Sequence, residues 1–583
     1  MRIAIVHKDK CKLWHGCDFI CKNYCPIARS GSDIIKEENG KPIIEENLCI
    51  GCGICVNRCP TKAISIINLP EKLNINPIHR YGKNGFELFN LPAPRFGFIV
   101  GILGVNGIGK STIFKILSKT IAPNFGKEES TDTFEQLSLI FKGQEEQSIF
   151  LKMKDISSVA YKIQEVDLLV KKYGEKNVEE LLKTADQKNF IKKVIEELDL
   201  KNILNRKINQ LSGGELQKVL IAATSTRNAK LYLYDEPSSY LDIKERLNVA
   251  KFLRNQINED IGILVVEHDL IMLDYLADYI YILYGKPKEY GIVSSIKTVR
   301  EGINQYLDGF LKEENVRFRD YALKFAERSE HRQIEKRRIV EWSNLQITLG
   351  DFMLEVEEGS IGENEIVGIL GENGIGKTTL VKALGGFVEY KGTINRNIKI
   401  SYKPQYLSFD KDYFVSEFLK EAFNQYSKEL IRPLNIDALF ERKLSELSGG
   451  ELQKVFIAKA LSQDSDLYLL DEPTAYLDVE ERIKVAKTII DFVYLRGKSA
   501  IVVDHDIMFI NYISNRLIVF EGEKSKKGIA RKITSVDDGI NRFLNLLSIT
   551  MRKDPESKRP RINKEGSRLD KMQKETGKFY GFR

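Results

Sequence analysis

From Pro60 to the C-terminus this 583-residue chain has no cysteine at all. It also lacks long apolar runs. The longest stretch of apolar residues and glycine, Phe96–Val105, has ten positions, three of them glycine. Roughly 18 are needed to cross a bilayer, so no membrane span is expected. No signal peptide or lipidation motif is visible in the sequence, which points to a cytoplasmic protein. Strong charge of one sign is missing too: the net charge is only +7. A chain of this length is expected to hold three or four domains. Its 29% charged residues lean towards a heat-adapted source.

All eight cysteines crowd between Cys11 and Cys59. Cys49-x2-Cys52-x2-Cys55-x3-Cys59-Pro60 is the thiolate spacing of a bacterial ferredoxin cluster, and Cys11-x5-Cys17-x3-Cys21-x3-Cys25-Pro26 is a looser version. In two-cluster ferredoxins the fourth Cys of each run serves the other cluster. That rule groups Cys11, Cys17, Cys21 and Cys59 on one [4Fe–4S] cubane, and Cys25, Cys49, Cys52 and Cys55 on the second. Cys11, set off by a five-residue gap, is the least regular ligand. The proline after each run is expected to end the local helix and free the thiolate to cross over. Structural zinc, which also uses four cysteines with C-x2-C spacings, is the alternative; disulfides would call for an export signal.

The rest of the chain is written twice. Gly104-Val-Asn106-Gly107-Ile-Gly109-Lys110-Ser111-Thr112 and Gly371-Glu-Asn373-Gly374-Ile-Gly376-Lys377-Thr378-Thr379 are phosphate-binding loops. Each follows an apolar strand, Phe98–Leu103 or Ile366–Leu370, and precedes a helical segment. Such glycines let backbone N–H groups curl around phosphate oxygens at a helix N-terminus. Lys110 and Lys377 would neutralise the β and γ phosphates, while Ser111 and Thr378 would hold Mg²⁺.

Leu211-Ser212-Gly213-Gly214-Glu-Leu-Gln217 recurs as Leu447-Ser448-Gly449-Gly450-Glu-Leu-Gln453, and in each copy a strand ending Asp-Glu-Pro follows (Asp235-Glu236, Asp471-Glu472). Ser239-Tyr-Leu-Asp242 pairs with Ala475-Tyr-Leu-Asp478, and Glu267-His268-Asp269 with Asp504-His505-Asp506. Tyr161-Lys-Ile-Gln164 likewise matches Tyr402-Lys-Pro-Gln405. These strings resemble the ATP-binding-cassette superfamily over both copies. The Walker lysines are 267 positions apart but the signature serines only 236, so the first cassette carries 31 extra residues. Most of them, roughly Phe125–Met153, read as a helical motif on its surface.

Two basic blocks stand out. Met551–Arg583 holds eleven Lys/Arg against five acids, and Arg317–Arg338 eight against four. Such blocks are either solvated faces or partners for phosphate backbones. Glu314-Asn-Val-Arg317-Phe-Arg319 and Arg559-Pro-Arg561-Ile-Asn563, with the cysteine runs, twin cassettes and helical insertion, resemble the subfamily E twin ATPases. These are the ribosome-recycling factors of archaea and eukaryotes, also called RNase L inhibitors.

The resemblance implies an α/β fold. A small α+β ferredoxin-like domain (1–76) precedes cassettes at 77–310 and 341–545, arranged head to tail. The basic strings, at 311–340 and 546–583, would be hinges bracing the cassettes through Arg317, Arg319 and Arg561. It further implies two composite ATP sites. Lys110, Gln164, Asp235, Glu236 and His268 would face Ser448, Gly449 and Gly450. Lys377, Gln405, Asp471, Glu472 and His505 would face Ser212, Gly213 and Gly214. In this reading Asp235, Asp471, Gln164 and Gln405 serve Mg²⁺, Glu236 and Glu472 polarise the attacking water, and the histidines sense the γ-phosphate. Tyr81 and Trp342 are the expected adenine-stacking aromatics. Cofactors would be two [4Fe–4S] clusters, Mg²⁺ and two ATP. Partners would be both ribosomal subunits, a release factor or its rescue paralogue, and initiation factors. Two other functions compete: ATP-coupled electron transfer, for which no flavin or dinucleotide fingerprint is present, and a non-splitting ribosomal scaffold.

Overall fold

The computed structural model describes residues 2–11, 17–68, 76–127, 134–143, 145–155, 159–324, 337–396 and 398–581. The linker expected over Asn68–Pro77 lies almost wholly outside them, as does most of the basic stretch after Lys324.

The N-terminal module is built from two small antiparallel ladders. Arg2–Val6 pairs with Ile64–Asn68, and Ile35–Glu38 with Lys41–Ile44. Cys21 lies in the helix Ile20–Asn23 and Cys55 in Ile54–Arg58; Cys25 caps the start of the helix Pro26–Arg29 and Cys59 the end of Ile54–Arg58, and the other four cysteines lie outside these helices. Pro60 follows the end of its helix as expected. Pro26, by contrast, opens a helix; its fixed φ and missing N–H cost nothing at a first helical position. The core is thin: Ala4, Val6, Ile34, Ile35, Ile44 and Ile64 around buried Cys21, Cys25 and Cys55.

Each cassette centres on four parallel strands. In the first the order is Ile99–Leu103, Gly262–Val266, Leu231–Asp235, Val159–Lys162. In the second it is Ile366–Leu370, Ser499–Val503, Leu467–Asp471, Ile400–Lys403. The three inner strands are continuous apolar runs buried on both faces, as parallel strands under helices require. On its far side each Walker strand pairs in parallel with a fifth strand, Tyr279–Lys286 or Arg516–Glu523, to which the next strand, Tyr290–Val293 or Lys527–Ala530, is antiparallel. The insertion forms helices Phe134–Ile140 and Glu145–Asp155. They anchor through Leu137, Phe141, Phe150 and Met153, leaving Leu139 and Leu151 exposed. Among the described residues no helix is long and apolar enough to cross a membrane.

The basic strings cross between cassettes. Arg319, on the chain leaving the first cassette, donates to the Tyr306 carbonyl and stands 3.9 Å from Glu480 of the second; Tyr321 donates to Glu480 at 2.7 Å. In return the hairpin Met551–Lys553/Pro560–Ile562 reaches back. Arg561 grips Asp274 with two nitrogens at 2.7 and 3.0 Å, and fully buried Arg559 adds a third contact at 3.3 Å. Arg317 departs from the bracing role expected of it: it is exposed and lies over Phe310 within its own hairpin.

Candidate active site

Both Walker loops run from a buried strand end into the helices Lys110–Leu117 and Lys377–Gly385. Gly109 (φ 110°) and Gly376 (φ 101°) cap those helices, and a Cβ there would strike Phe86 or Phe352 at under 3 Å. Only glycine meets both demands. Ser111, Thr112, Thr378 and Thr379 fall in the first turn. Lys110 Nζ donates to the Gly104 and Val105 carbonyls, and Lys377 Nζ to those of Gly371 and Glu372.

The carboxylates gather beside these loops. Gln164 Nε2 donates to Glu236 Oε1 at 2.8 Å and His268 Nε2 stands 3.2 Å from the same oxygen. In the second copy Gln405 donates to Glu472 Oε1 at 2.9 Å and His505 stands 3.2 Å away. Burial pushes the Glu236 carboxyl up, but His268, Lys110 and Ser239 carry it down to about 2; Glu472 reaches about 2 under His505 and the lysines. Both glutamates are therefore ionised. Their neighbours shift the other way: burial and the adjacent glutamate raise Asp235, and Asp471 rises to about 6, chiefly by burial. Asp471 Oδ1 is buried with no hydrogen-bond partner, while Thr378 donates to its Oδ2 at 2.8 Å. A strand-end carboxylate beside a Walker hydroxyl, with one orphaned oxygen, fits a hard divalent cation.

The signature serines cap helices Gly213–Ser225 and Gly449–Ser462, each completing a capping box with the following glutamate. Across the interface Asn106 N donates to Asp478 Oδ2 at 2.8 Å, and Asn373 N to Asp242 Oδ2 at 2.9 Å. Lys288, in the turn whose N–H holds the Gly107 carbonyl, reaches signature Glu451 of the other cassette at 3.4 Å. Each Walker loop is thus bonded to the opposite cassette, and the arrangement is head to tail. At the pseudo-twofold Tyr240 and Tyr476 meet hydroxyl to hydroxyl at 3.4 Å.

Tyr81 stands beside the Walker helix, half-exposed with its hydroxyl 3.2 Å from Thr112 Oγ1. Trp342 does not lie where expected. It is buried, packs on Gly359 and donates to the Glu357 carbonyl. Pairing His79 with Leu88 and Ile347 with Leu354 superimposes the two hairpins and sets Leu349 at the place of Tyr81. Leu88 and Leu354 each lie against the last Walker glycine, which fixes that register. The sequence reading also gave no role to Asp242, Asp478, Lys162, Lys403 or Asp274. Four of the five sit in strings repeated at matching positions, which was the available signal.

The thiols sort into two sets by mutual charge. Burial pushes Cys21 up to about 12 and Cys55 up to about 11. Next, Cys21 feels Cys17, Cys11 and Cys59, whereas Cys55 feels Cys49, Cys52 and Cys25. All eight stand as thiols, not disulfides. Cys25, Cys49, Cys52 and Cys55 line one small cavity walled by isoleucines, and Ala63 N donates to Cys59 Sγ at 3.2 Å. Such a sulfur-lined apolar cavity fits a cluster. Among the described residues no three His, Cys, Asp or Glu are drawn together as a single metal ion would require.

The chain matches the ABC transporter family over residues 95–239 and 355–475, and the 4Fe-4S binding domain family over 42–65. Fold and site together define a twin-cassette ABC ATPase carrying a 4Fe-4S binding domain. It is 49% identical to the "Uncharacterized ABC transporter ATP-binding protein MJ0719" of Methanocaldococcus jannaschii, over 100% of this chain and 97% of that protein. To the "Translation initiation factor RLI1" of Saccharomyces cerevisiae it is 43% identical, over 99% and 98%. The chain belongs to the subfamily E (ABCE1/RLI1) family of ABC ATPases. Its structure is similar, at TM-score 0.93 and 47% identity over 100% of this chain and 99% of the other, to ABCE1 in a ribosome-bound archaeal Pelota–ABCE1 assembly. Archaeal ribosome recycling factor aABCE1, in complex with the archaeal ribosomal stalk protein aP1, gives TM-score 0.81 and 47% identity over 87% and 99%.

Proposed function

We propose that this chain is an ATP-driven ribosome recycling factor of the cytoplasm, separating small and large subunits after termination or rescue. The observation that carries the reading is full-length likeness, hinges and N-terminal module included, to ABCE1 held on a ribosome. A release factor or its rescue paralogue would precede it, and initiation factors would meet it on the small subunit.

Both composite sites hydrolyse ATP. The Walker amides and Lys110 or Lys377 bind the phosphates, and Ser212–Gly214 or Ser448–Gly450 close over the γ-phosphate from the other cassette. Mg²⁺, held by Ser111, Asp235 and Gln164 or by Thr378, Asp471 and Gln405, would neutralise developing phosphoryl charge. Glu236 and Glu472 take up the proton of the attacking water, and His268 and His505 orient at the γ-phosphate. Nucleotide that prefers the closed form drives closure; moving the balance from 1:99 to 99:1 takes about 5.5 kcal/mol of that preference.

The eight thiols hold two [4Fe–4S] clusters, which supply the folding energy that so small a core cannot. The module is a stiff wedge: Ser65 and His7 dock on Glu289 of the first cassette, so closure moves it against the subunits. Iron analysis tests the count, with Cys25→Ser expected to lower iron while basal ATPase stays near wild type. Sucrose-gradient sedimentation of ribosomes with this protein, release factor and ATP tests the function. Subunit peaks are expected with ATP, and intact ribosomes under every nucleotide condition would overturn the reading.

A further inference from the structure

Glu236 and Glu472 occupy a backbone conformation that costs energy. Both have φ of 47°, in the left-handed region that L side chains seldom enter. Something must hold them there, and the same three anchors appear in both cassettes. The glutamate N–H donates to the end of the neighbouring strand, to Val266 at 2.9 Å or Val503 at 2.8 Å. Its carbonyl accepts from a signature-helix glutamine, Gln217 or Gln453, at 2.6 Å in each case. The third anchor is a lysine that is 1% exposed. Lys162 Nζ lies 2.8 Å from the Asp235 carbonyl and 3.4 Å from that of Glu236; Lys403 Nζ lies 2.7 and 3.0 Å from those of Asp471 and Glu472.

A fully buried ammonium is expensive unless its charge and donors are used. Here it faces an acidic cluster and caps two consecutive carbonyls at the turn that aims the glutamate. It also lies two residues before Gln164 or Gln405, which hold the same glutamate's side chain. One strand end thus fixes that residue from below, at the backbone, and from above, at the carboxylate.

We infer that Lys162 and Lys403 are positioning residues for hydrolysis, holding the Asp-Glu peptide so that the glutamate carboxylate faces the attacking water. This rests on the assignment of Glu236 and Glu472 made above. Gln217 and Gln453 extend the device: each ties the signature helix, whose serine serves the other site, to the glutamate of its own cassette, so a shift of that helix is felt at that glutamate.

The test is a cycle in the full-length protein. Lys162→Met keeps length and loses both hydrogen bonds. With Glu472→Gln silencing the second site, it should lower kcat by about 10–10²-fold, the cost of a small misplacement, while the affinity for a non-hydrolysable ATP analogue stays within about threefold. Added to Glu236→Gln it should cost nothing more, because the group it positions is already lost. Should Lys162→Met fail to fold, Gln217→Leu removes the other donor from the same carbonyl and must give the same split. Wild-type kcat, weakened nucleotide binding, or an undiminished loss in the Glu236→Gln background would each overturn the inference. If Glu236→Gln alone leaves kcat unchanged, the glutamate assignment falls instead.

Discussion

The two nucleotide sites share one chemical set and differ in what surrounds it. Each has the Walker lysine on two loop carbonyls, the Gln–Glu–His contact, the aspartate bridge to the other cassette and the buried lysine below. The differences lie one layer out. The helix that follows His268 in the first cassette, Leu270–Leu276, presents Asp274 to Arg559 and Arg561, whereas its counterpart in the second, Ile507–Ile513, has at that place Asn511, which donates to the Tyr580 hydroxyl at 3.4 Å. The turn against the first Walker loop carries Glu289 to the cysteine-rich module, while the matching turn of the second cassette has Lys526 at that place. Ser239 bonds Glu236; Ala475 stands in its place beside Glu472. Catalysis is duplicated, and asymmetry is built where each site touches the rest of the molecule.

The strongest way to break the comparison is at the glutamates. Glu236→Gln and Glu472→Gln should each cut turnover at their own site by about 10²–10⁴-fold and leave ATP binding intact. The double variant should remain closed on the small subunit. Nucleotide retention no longer than in wild type would remove both residues from the catalytic step.

The second contrast is between the two hinge contacts. Asp274 is 3% exposed and faces the 0%-exposed Arg559. Asp274→Ala strands a buried guanidinium and should cost about 3–5 kcal/mol; Asn511→Ala removes a neutral side chain and should cost less, about 1 kcal/mol for each hydrogen bond lost. Calorimetric melting compares them directly. Equal destabilisation would mean the hinge grips both cassettes alike.

A milder effect is expected at the module junction. Burial would raise the Glu289 carboxyl, but His7, Lys286 and Ser65 outweigh it and hold it below the ordinary range. Its stabilisation is therefore complete above the usual carboxylate pKa of about 4.3 and lost as pH falls through the depressed value. Limited proteolysis of the 69–75 linker should accelerate on acidification below about pH 4.3 in wild type, and Glu289→Gln should flatten that dependence.

Local strings made the catalytic set legible. Walker, signature and Asp-Glu motifs carry their own geometry, since each is a loop fixed by glycines or a capping box, and the repeat located the insertion to within a few residues. Contacts between distant segments were not legible. Asp274 sits in an ordinary apolar helix, and only folding brings Arg559 and Arg561 to it across nearly 300 residues. Trp342 failed for a related reason. An aromatic ahead of a Walker strand looks like an adenine platform, yet strand register decides which face it takes, and here that face is the core. Arg317 ends the short strand Val316–Arg317 and Arg319 lies beyond it, so strand alternation does not decide which of them turns inward, and composition could not say either.

The smallest expected effect would sharpen the comparison most. Ser239 Oγ donates to Glu236 Oε2 at 3.0 Å, while Gln164 and His268 address Oε1. A donor on the second oxygen makes the carboxylate a weaker base, and proton uptake is slower the further the base lies below working pH. Ser239→Ala, read with Glu472→Gln so that only the first site turns over, should therefore raise kcat by up to about fivefold, about 1 kcal/mol. Ala475→Ser, read with Glu236→Gln, should lower it by a similar factor. The two changes exchange one hydroxyl between otherwise matched sites, so they should act in opposite directions. Changes of the same sign would mean that this hydroxyl does not tune the glutamates, and would leave the hinge and module contacts as what distinguishes the two cassettes.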